Sequence, residues 1–394
     1  LVSLSITSKK TWEMKNIASL LFLIFGIATI QSQTATAITN LQTPNLDETS
    51  GLLFYNNKLL TFNDSGGQAS LYEISSSTGT ITKTITITNA TNVDWEDITQ
   101  DASYIYIGDI GNNNGNRTDL KVYKIAKNDF DGADNTATAE IIAYSYANQT
   151  DFTSNPNNNN WDAEGLISRG DNLLIFSKNW ANKMVNVYSI PKTIGTHSAV
   201  LESSYNTNGL ITGAETSFSE DIIYLTGYSN SQAPFMYTIH DIPSNSLDVF
   251  SGTVSEKITT IVSLGNQVEA IALFEITPTK HRLYISNEKY TFSSGPISIT
   301  FPAKLWFVEI NSDTLLDVPN ITIDNSVILY PNPFDTTLKT NKIVDEIAVY
   351  DLSGKMLTKQ QNVTEIALEN LKQGHYFVQI KIDNALIVKQ VIKK

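Results

Sequence analysis

From residue 38 to residue 315 the chain is a succession of short stretches in which apolar and polar positions alternate, bounded by Gly, Asn, Asp, Ser or Pro. A two-residue period with such boundaries predicts β-strands. The strands recur in a fixed order. Each series opens on a marker whose third residue stands at position 50, 96, 164, 215 or 269: Glu48-Thr49-Ser50-Gly51-Leu52, Asp94-Trp95-Glu96-Asp97-Ile98, Asp162-Ala163-Glu164-Gly165-Leu166, Gly213-Ala214-Glu215-Thr216-Ser217 and Gln267-Val268-Glu269-Ala270-Ile271. A strongly apolar strand follows each marker, at 59–64, 104–109, 173–178, 222–227 and 282–288. A third strand repeats at 71–74, 122–125, 187–190, 236–239 and 307–310, and a more polar fourth precedes the next marker in four of the five series, as at 139–146.

Four antiparallel strands repeated at about 50 residues describe an all-β fold, a five-bladed β-propeller in which the first strand of each blade lines a central channel. Six blades remain an alternative, because the markers at 96 and 164 are 68 residues apart, although most of that excess is an Asn-rich loop from Asn148 to Asn160. The fifth series lacks a fourth strand, and residues 36–42 form a strand without a neighbour in sequence. The N-terminal strand is therefore expected to complete the last blade, which removes an exposed sheet edge.

Composition narrows the chemistry. The 394 residues contain no Cys, four His and three Arg, which excludes disulfides, thiolate catalysis and Cys-type zinc sites. Net charge is −13; residues 1–33 and 327–394 each carry +2, so taking both from the total leaves −17 on residues 34–326. Such an acidic body repels phosphate backbones and anionic headgroups, so nucleic acid and membrane surfaces are not expected partners, whereas cations and neutral ligands are.

Both ends read as addresses. Met14-Lys15-Asn16 precedes an apolar run from Ile17 to Ile30 and then Ala35-Thr36-Ala37. This is the layout of a secretory signal, and its apolar core is shorter than the roughly 20 residues that span a bilayer. Residues 1–37 are read as a signal region starting at Met14, with no permanent transmembrane anchor. Residues 316–326 read as a linker. Residues 327–394 return to a two-residue period with Ser-Gly and Gln-Gly turns, which predicts a small antiparallel β-sandwich of about seven strands.

That tail opens on Tyr330-Pro331-Asn332-Pro333-Phe334, continues through Val349-Tyr350-Asp351-Leu352-Ser353-Gly354-Lys355 and Leu371-Lys372-Gln373-Gly374-His375-Tyr376-Phe377, and ends on Lys393-Lys394. In this order and spacing the four motifs resemble the type A C-terminal sorting domain of the type IX secretion system of Bacteroidetes. The resemblance implies export by the signal and then across the outer membrane through recognition of this domain by the type IX machinery, leaving the protein secreted or on the outer cell surface. A sorting domain does not say what its cargo does.

The markers of the body resemble those of phytase-like and lactonase-like propellers, where a Glu-Gly-Leu or Glu-Gly-Ile unit opens the innermost strand. In a propeller Ser50, Glu96, Glu164, Glu215 and Glu269 converge near the axis, with Asp94 and Asp162 two residues earlier on the same side of their strands. Oxygen ligands alone suit Ca²⁺, so Glu96, Glu164, Glu215, Glu269, Asp94 and Asp162 are candidate calcium ligands. The same glutamates also read as clasps that accept backbone N–H groups of a neighbouring blade, or as catalytic carboxylates. Asp64, Asp109, Lys178 and Glu288 end the second strands and, with Arg117, form a candidate mixed-charge binding site at one channel mouth. Asp129 to Asp134 looks like part of a calcium loop, lacks the distal Glu, and reads as a turn. Two functions follow: a monomeric binding module for an extracellular ligand, or a calcium-dependent hydrolase of phosphoesterase or lactonase type with the channel carboxylates as metal ligands.

Overall fold

The computed structural model describes residues 35–132, 134–230, 233–255, 258–259, 267–277, 279–294, 297–311, 327–351, 356–382 and 385–394; the signal run, the linker and Gly354 lie outside the described residues. Within residues 36–311, each marker falls on the innermost strand of one four-stranded antiparallel unit. Sheet 1 runs Thr49–Tyr55, Lys58–Asn63, Ser70–Ile74, Ile81–Ile87, and sheet 2 runs Trp95–Gln100, Tyr104–Asp109, Lys121–Ala126, Ala139–Tyr146. Sheet 3 is Ala163–Arg169, Asn172–Ser177, Val185–Pro191, Gly195–Tyr205. Sheet 4 is Leu210–Thr216, Ile223–Tyr228, Pro234–His240 with the short pieces Thr253–Val254 and Ile258–Thr259 on its outside. Sheet 5 has Val268–Ile276, Lys280–Asn287 and Lys304–Asn311, and its fourth strand is Thr36–Asn40, paired antiparallel with Lys304–Asn311. The first strand of the body thus completes the last sheet.

Alternation explains the stacking, because both faces of the inner strands are apolar. Along Tyr104–Asp109, Ile105 and Ile107 enter the cluster shared with sheet 1 while Tyr106 enters the one shared with sheet 3. Along Asn172–Ser177, Leu173 and Ile175 face sheet 2 while Leu174 and Phe176 face sheet 4. Further clusters join sheet 4 to sheet 5 through Tyr224, Met236 and Ile271, and sheet 5 to sheet 1 through Leu305, Ala270, Leu52 and Leu59. The stack closes on itself, and the body is a β-propeller. Each innermost strand carries a bulge, between Ser50 and Leu52, Trp95 and Asp97, Ala163 and Gly165, Ile211 and Gly213, and Val268 and Ala270, at the marker in every sheet but the fourth. A bulge re-aims one side chain out of the pleat. Gly165 lets the strands crowd together there: a Cβ on it would stand 3.0 Å from the Cβ of Ala214.

Some elements were not anticipated. The outer strand of sheet 2 pairs parallel with the start of Gly195–Tyr205, which joins sheets 2 and 3 along their rims and covers an edge. A hairpin, Tyr290–Ser294 with Ile297–Phe301, is inserted in sheet 5. One helical turn, Lys127–Phe130, runs into the calcium-loop-like stretch that starts at Asp129; its Phe130 is buried, and Asp131 accepts a hydrogen bond from the Tyr55 hydroxyl at 2.5 Å. Among the described residues no helix is long and apolar enough to cross a membrane.

The C-terminal domain has five named strands among its described residues rather than about seven: Leu329–Tyr330, Thr337–Tyr350, Met356–Ala367, Gly374–Ile382 and Ala385–Lys393. The difference lies in Thr337–Tyr350, which stays one strand through a register shift between Lys339 and Val344. Its first half pairs with Leu329–Tyr330 and its second half with Gly374–Ile382. The opening motif fastens the last strand. Phe334 is fully buried, its N–H donates to the Ile392 carbonyl at 2.8 Å, and the Lys394 N–H donates to the Phe334 carbonyl at 2.9 Å. Asn332 accepts from the Ile392 N–H at 2.9 Å and donates to the Gln390 carbonyl at 3.3 Å. Pro331 and Pro333 flank that asparagine, Tyr330 is largely exposed, and Gly374 starts its strand at φ +153°, where glycine is favoured.

Candidate functional site

Backbone hydrogen bonds fix which side chains share a level of the channel. Asp64 N–H donates to the Glu48 carbonyl at 2.9 Å, Gly111 N–H to Asp94 at 3.2 Å and Lys178 N–H to Asp162 at 2.9 Å. The second strands therefore end at one level with Asp64, Gly111 and Lys178, and the strand register adds Tyr228 and Glu288. The bulges present Glu96, Glu164, Thr212 and Glu269, and the same count along sheet 1 gives Ser50, beside its bulged Gly51. Ser50 and Thr212 make matching contacts: the Ser50 hydroxyl donates to the Glu96 carbonyl at 2.7 Å and the Thr212 hydroxyl to the Val268 carbonyl.

A cavity of about 230 Å³ lies at this end, bounded by Ser50, Asp64, Glu96, Glu164, Lys178, Glu269 and Glu288, with Trp180, Tyr228, Gln267, Asn113 and Asn157 completing its wall. One carboxylate oxygen each from Asp64, Asp94 and Glu96 lie within 4.8 Å of one another, and the same holds for Glu96, Asp162 and Glu164. Asp162 is held by Trp180 Nε1–H at 2.7 Å and by the backbone N–H of Asn112 at 2.6 Å. Lys178, 5% exposed, donates to Glu164 Oε1 and lies 4.8 Å from the Trp180 ring and 5.4 Å from the Tyr228 ring. The structure thus brings together Asp64, Asp94, Glu96, Asp162, Glu164, Lys178, Glu269 and Glu288.

Three expected members stand elsewhere. Glu215 lies three residues beyond the bulge of its own strand and lines a different cavity, with Gln100 and Lys127. Its carboxyl accepts from Thr216 N–H at 2.8 Å and Leu273 N–H at 3.0 Å, so it is a clasp between sheets 4 and 5. The resemblance of Gly-Ala-Glu-Thr to the other markers set it three residues out of register, and Thr212 takes the equivalent place. Asp109 pairs opposite Trp95, the register place of Asn63 and Ser177 rather than of Asp64 and Lys178, and one additional residue, Ile110, then gives the channel position to Gly111. Fully buried, Asp109 pairs with Arg117 at 2.8 Å and Lys121 at 3.3 Å. Arg117 also bonds Asp119 and the Gly111 carbonyl, so both residues brace the loop behind the cavity wall.

Asp97, unnoticed in the sequence, accepts from Ile98, Leu166 and Ala214 N–H groups at 2.8 to 3.1 Å and so ties together sheets 2, 3 and 4. Gly111 escaped notice too. A Cβ there would overlap the Glu96 and Asp94 carboxyls. Asn113 and Asn157 reach the cavity because the Asn-rich loop folds onto its mouth, through Asn157 N–H to Asn113 at 3.0 Å and Asn159 Nδ2 to Asn113 at 2.9 Å.

Burial dominates the electrostatics. It pushes Glu96 well above the ordinary carboxyl range, and the neighbouring Asp64 and Glu164 add to this. Burial and Glu288 raise Asp64 to about 6, while burial and Asp64 raise Asp94 to about 7. Glu269 rises to about 7 and Glu288 to about 8, again chiefly through burial. Burial opposes the Lys178 ammonium, yet Glu164 beside it holds its pKa above the usual lysine value. No hydrogen bond from the described residues reaches the Glu96 carboxyl, which is 5% exposed, and Glu164 Oε2 is likewise buried without a donor. An ionised carboxylate in such a place needs a proton or a cation.

Residues 328–394 match the family model of the secretion system C-terminal sorting domain. The chain carries this type IX sorting domain, which directs export to the cell surface or secretion. Comparison with curated protein sequences gave no match. Among solved structures, an exo-β-1,3-galactanase of Phanerochaete chrysosporium is similar at 9% identity, 92% of this chain, 100% of that chain and a TM-score of 0.42. A β-fructofuranosidase of Bombyx mori gives 9%, 91%, 89% and 0.36. The extracellular domain of a hybrid two-component system of B. thetaiotaomicron gives 10%, 92%, 59% and 0.31. At this level of likeness nothing of their activities transfers to the chain.

Proposed function

We propose that the exported body is a binding module whose channel holds Ca²⁺ and whose extracellular ligand meets the cavity rim at Trp180, Tyr228 and the Asn-rich loop. The observation that carries this reading is Glu96, deeply buried, without a hydrogen-bond donor among the described residues, and with carboxylate oxygens on both sides close enough to share a cation with it. Among the described residues lining the cavity every charged oxygen donor is a carboxylate and there is neither Cys nor His, a donor set that suits a hard cation. Export favours the same cation, since extracellular calcium modules work at dissociation constants of roughly 10⁻⁴ to 10⁻³ M.

The test is thermal unfolding of the full chain in Ca²⁺ and in chelator. At calcium near 100 times Kd, the expected rise in Tm is roughly 3 to 5 °C, and Glu96→Gln removes it. Equal melting temperatures with and without calcium would refute the reading. A second reading, a calcium-dependent hydrolase, is favoured by the Lys178 ammonium set against Glu164 beside the proposed cation. With Lys178 the only basic residue among the described residues lining this cavity, that reading fits a neutral ester or lactone better than a phosphate. Its test is turnover of a small ester panel that disappears in chelator and in Lys178→Met.

A further inference from the structure

We infer that the channel holds two divalent cations side by side, with Glu96 bridging them; this rests on the proposed calcium reading and gives it a stoichiometry. The carboxylates form two trios that share one member, Asp64 with Asp94 and Glu96, and Glu96 with Asp162 and Glu164, each with its oxygens within 4.8 Å of one another. Oxygens on opposite sides of one calcium ion lie about 4.6 to 5.2 Å apart, twice its bond length. Each trio thus matches the span of a single ion, and the five residues together offer two such places rather than one.

Three independent features point the same way. Glu96 is the shared residue, and it is also the one that lies deeply buried with no hydrogen-bond donor. Each trio also contains a buried oxygen without a donor, Asp64 Oδ1 in the first and Glu164 Oε2 in the second. Gly111 makes the bridge feasible, because any larger residue would fill the space beside the Glu96 and Asp94 carboxyls. Charge supplies the quantity. Seven carboxyls, the five of the trios with Glu269 and Glu288, face one ammonium among the described residues lining the cavity, Lys178, a net of six negative charges when all are ionised. One divalent ion leaves four of these and two leave two, so a lone ion would sit beside an uncompensated second trio in a buried site.

The experiment is calorimetric titration of the chelator-treated full chain with CaCl₂ alone. The expected result is two ions per chain. Asp64→Asn and Glu164→Gln are each expected to bind one, and Glu96→Gln to weaken both sites at least tenfold. One ion per chain in the unaltered protein overturns the bridged pair but leaves the calcium reading intact, whereas no binding overturns both. Two ions that survive undiminished in Asp64→Asn and Glu164→Gln place the sites elsewhere and also overturn the inference. Should a variant not fold, terbium luminescence of the unaltered chain decides: saturation at two equivalents is expected, and saturation at one contradicts the pair.

Discussion

A few residues decide what the channel can hold. Lys178 is the counter-charge of the metal-free cavity, buried against Glu164. Replacing it by Met leaves a buried carboxylate cluster without a cation, and breaking such a pair costs about 3 to 5 kcal/mol. Denaturant unfolding of Lys178→Met in chelator is expected to show a loss of that order, and calcium is expected to recover much of it. Gly111→Ala acts differently. Its methyl group would push aside the Asp94 and Glu96 carboxyls, so calcium affinity falls at least tenfold while the fold persists; an unchanged affinity would show that these carboxyls are not ligands. Trp95 makes a third test. Fully buried, it packs on Phe62 and Tyr123 between sheets 1 and 2, and Trp95→Ala is expected to cost roughly 3 to 5 kcal/mol in equilibrium unfolding.

The closing element of the ring is Thr36–Asn40, paired through Phe307, Trp306, Leu305 and Lys304. Deleting those five residues exposes the edge of sheet 5 and is expected to lower the melting temperature and broaden the transition; an unaltered transition would mean that the strand closes nothing. At this scale the sequence was most informative. Alternation at Tyr104–Asp109 or Asn172–Ser177 reflects side chains that fill two apolar gaps at once, so the strands and their order were legible. The site was legible only in part. Glu96, Glu164 and Glu269 could be read because their strands repeat the marker, whereas Glu215 and Asp109 were misplaced. A three-residue offset in sheet 4, and in sheet 2 a one-residue offset of Asp109 together with one additional residue before Gly111, change which side chain meets the axis, and neither alters the apolar pattern. Asp97 was invisible for another reason: its role consists of backbone donors supplied by sheets 3 and 4, which no local spacing records.

For the whole molecule, the acidic channel makes stability depend on pH and on cations together. Asp64, Asp94, Glu269 and Glu288 have folded-state values of about 6, 7, 7 and 8, raised mainly by burial. Unfolded carboxyls titrate near 4. The metal-free folded state therefore binds more protons than the unfolded state between those limits, and its stability falls as pH rises from about 5 to 8. Unfolding midpoints in chelator are expected to follow that fall, and calcium is expected to flatten it by replacing the protons. The central claim, cations among the channel carboxylates of an exported propeller, is met most directly by a crystal structure grown in CaCl₂. The account predicts two peaks of density about 2.3 to 2.6 Å from carboxylate oxygens, both coordinated by Glu96. A channel holding only water, with Glu96 protonated and hydrogen-bonded to a neighbouring carboxyl, would contradict it.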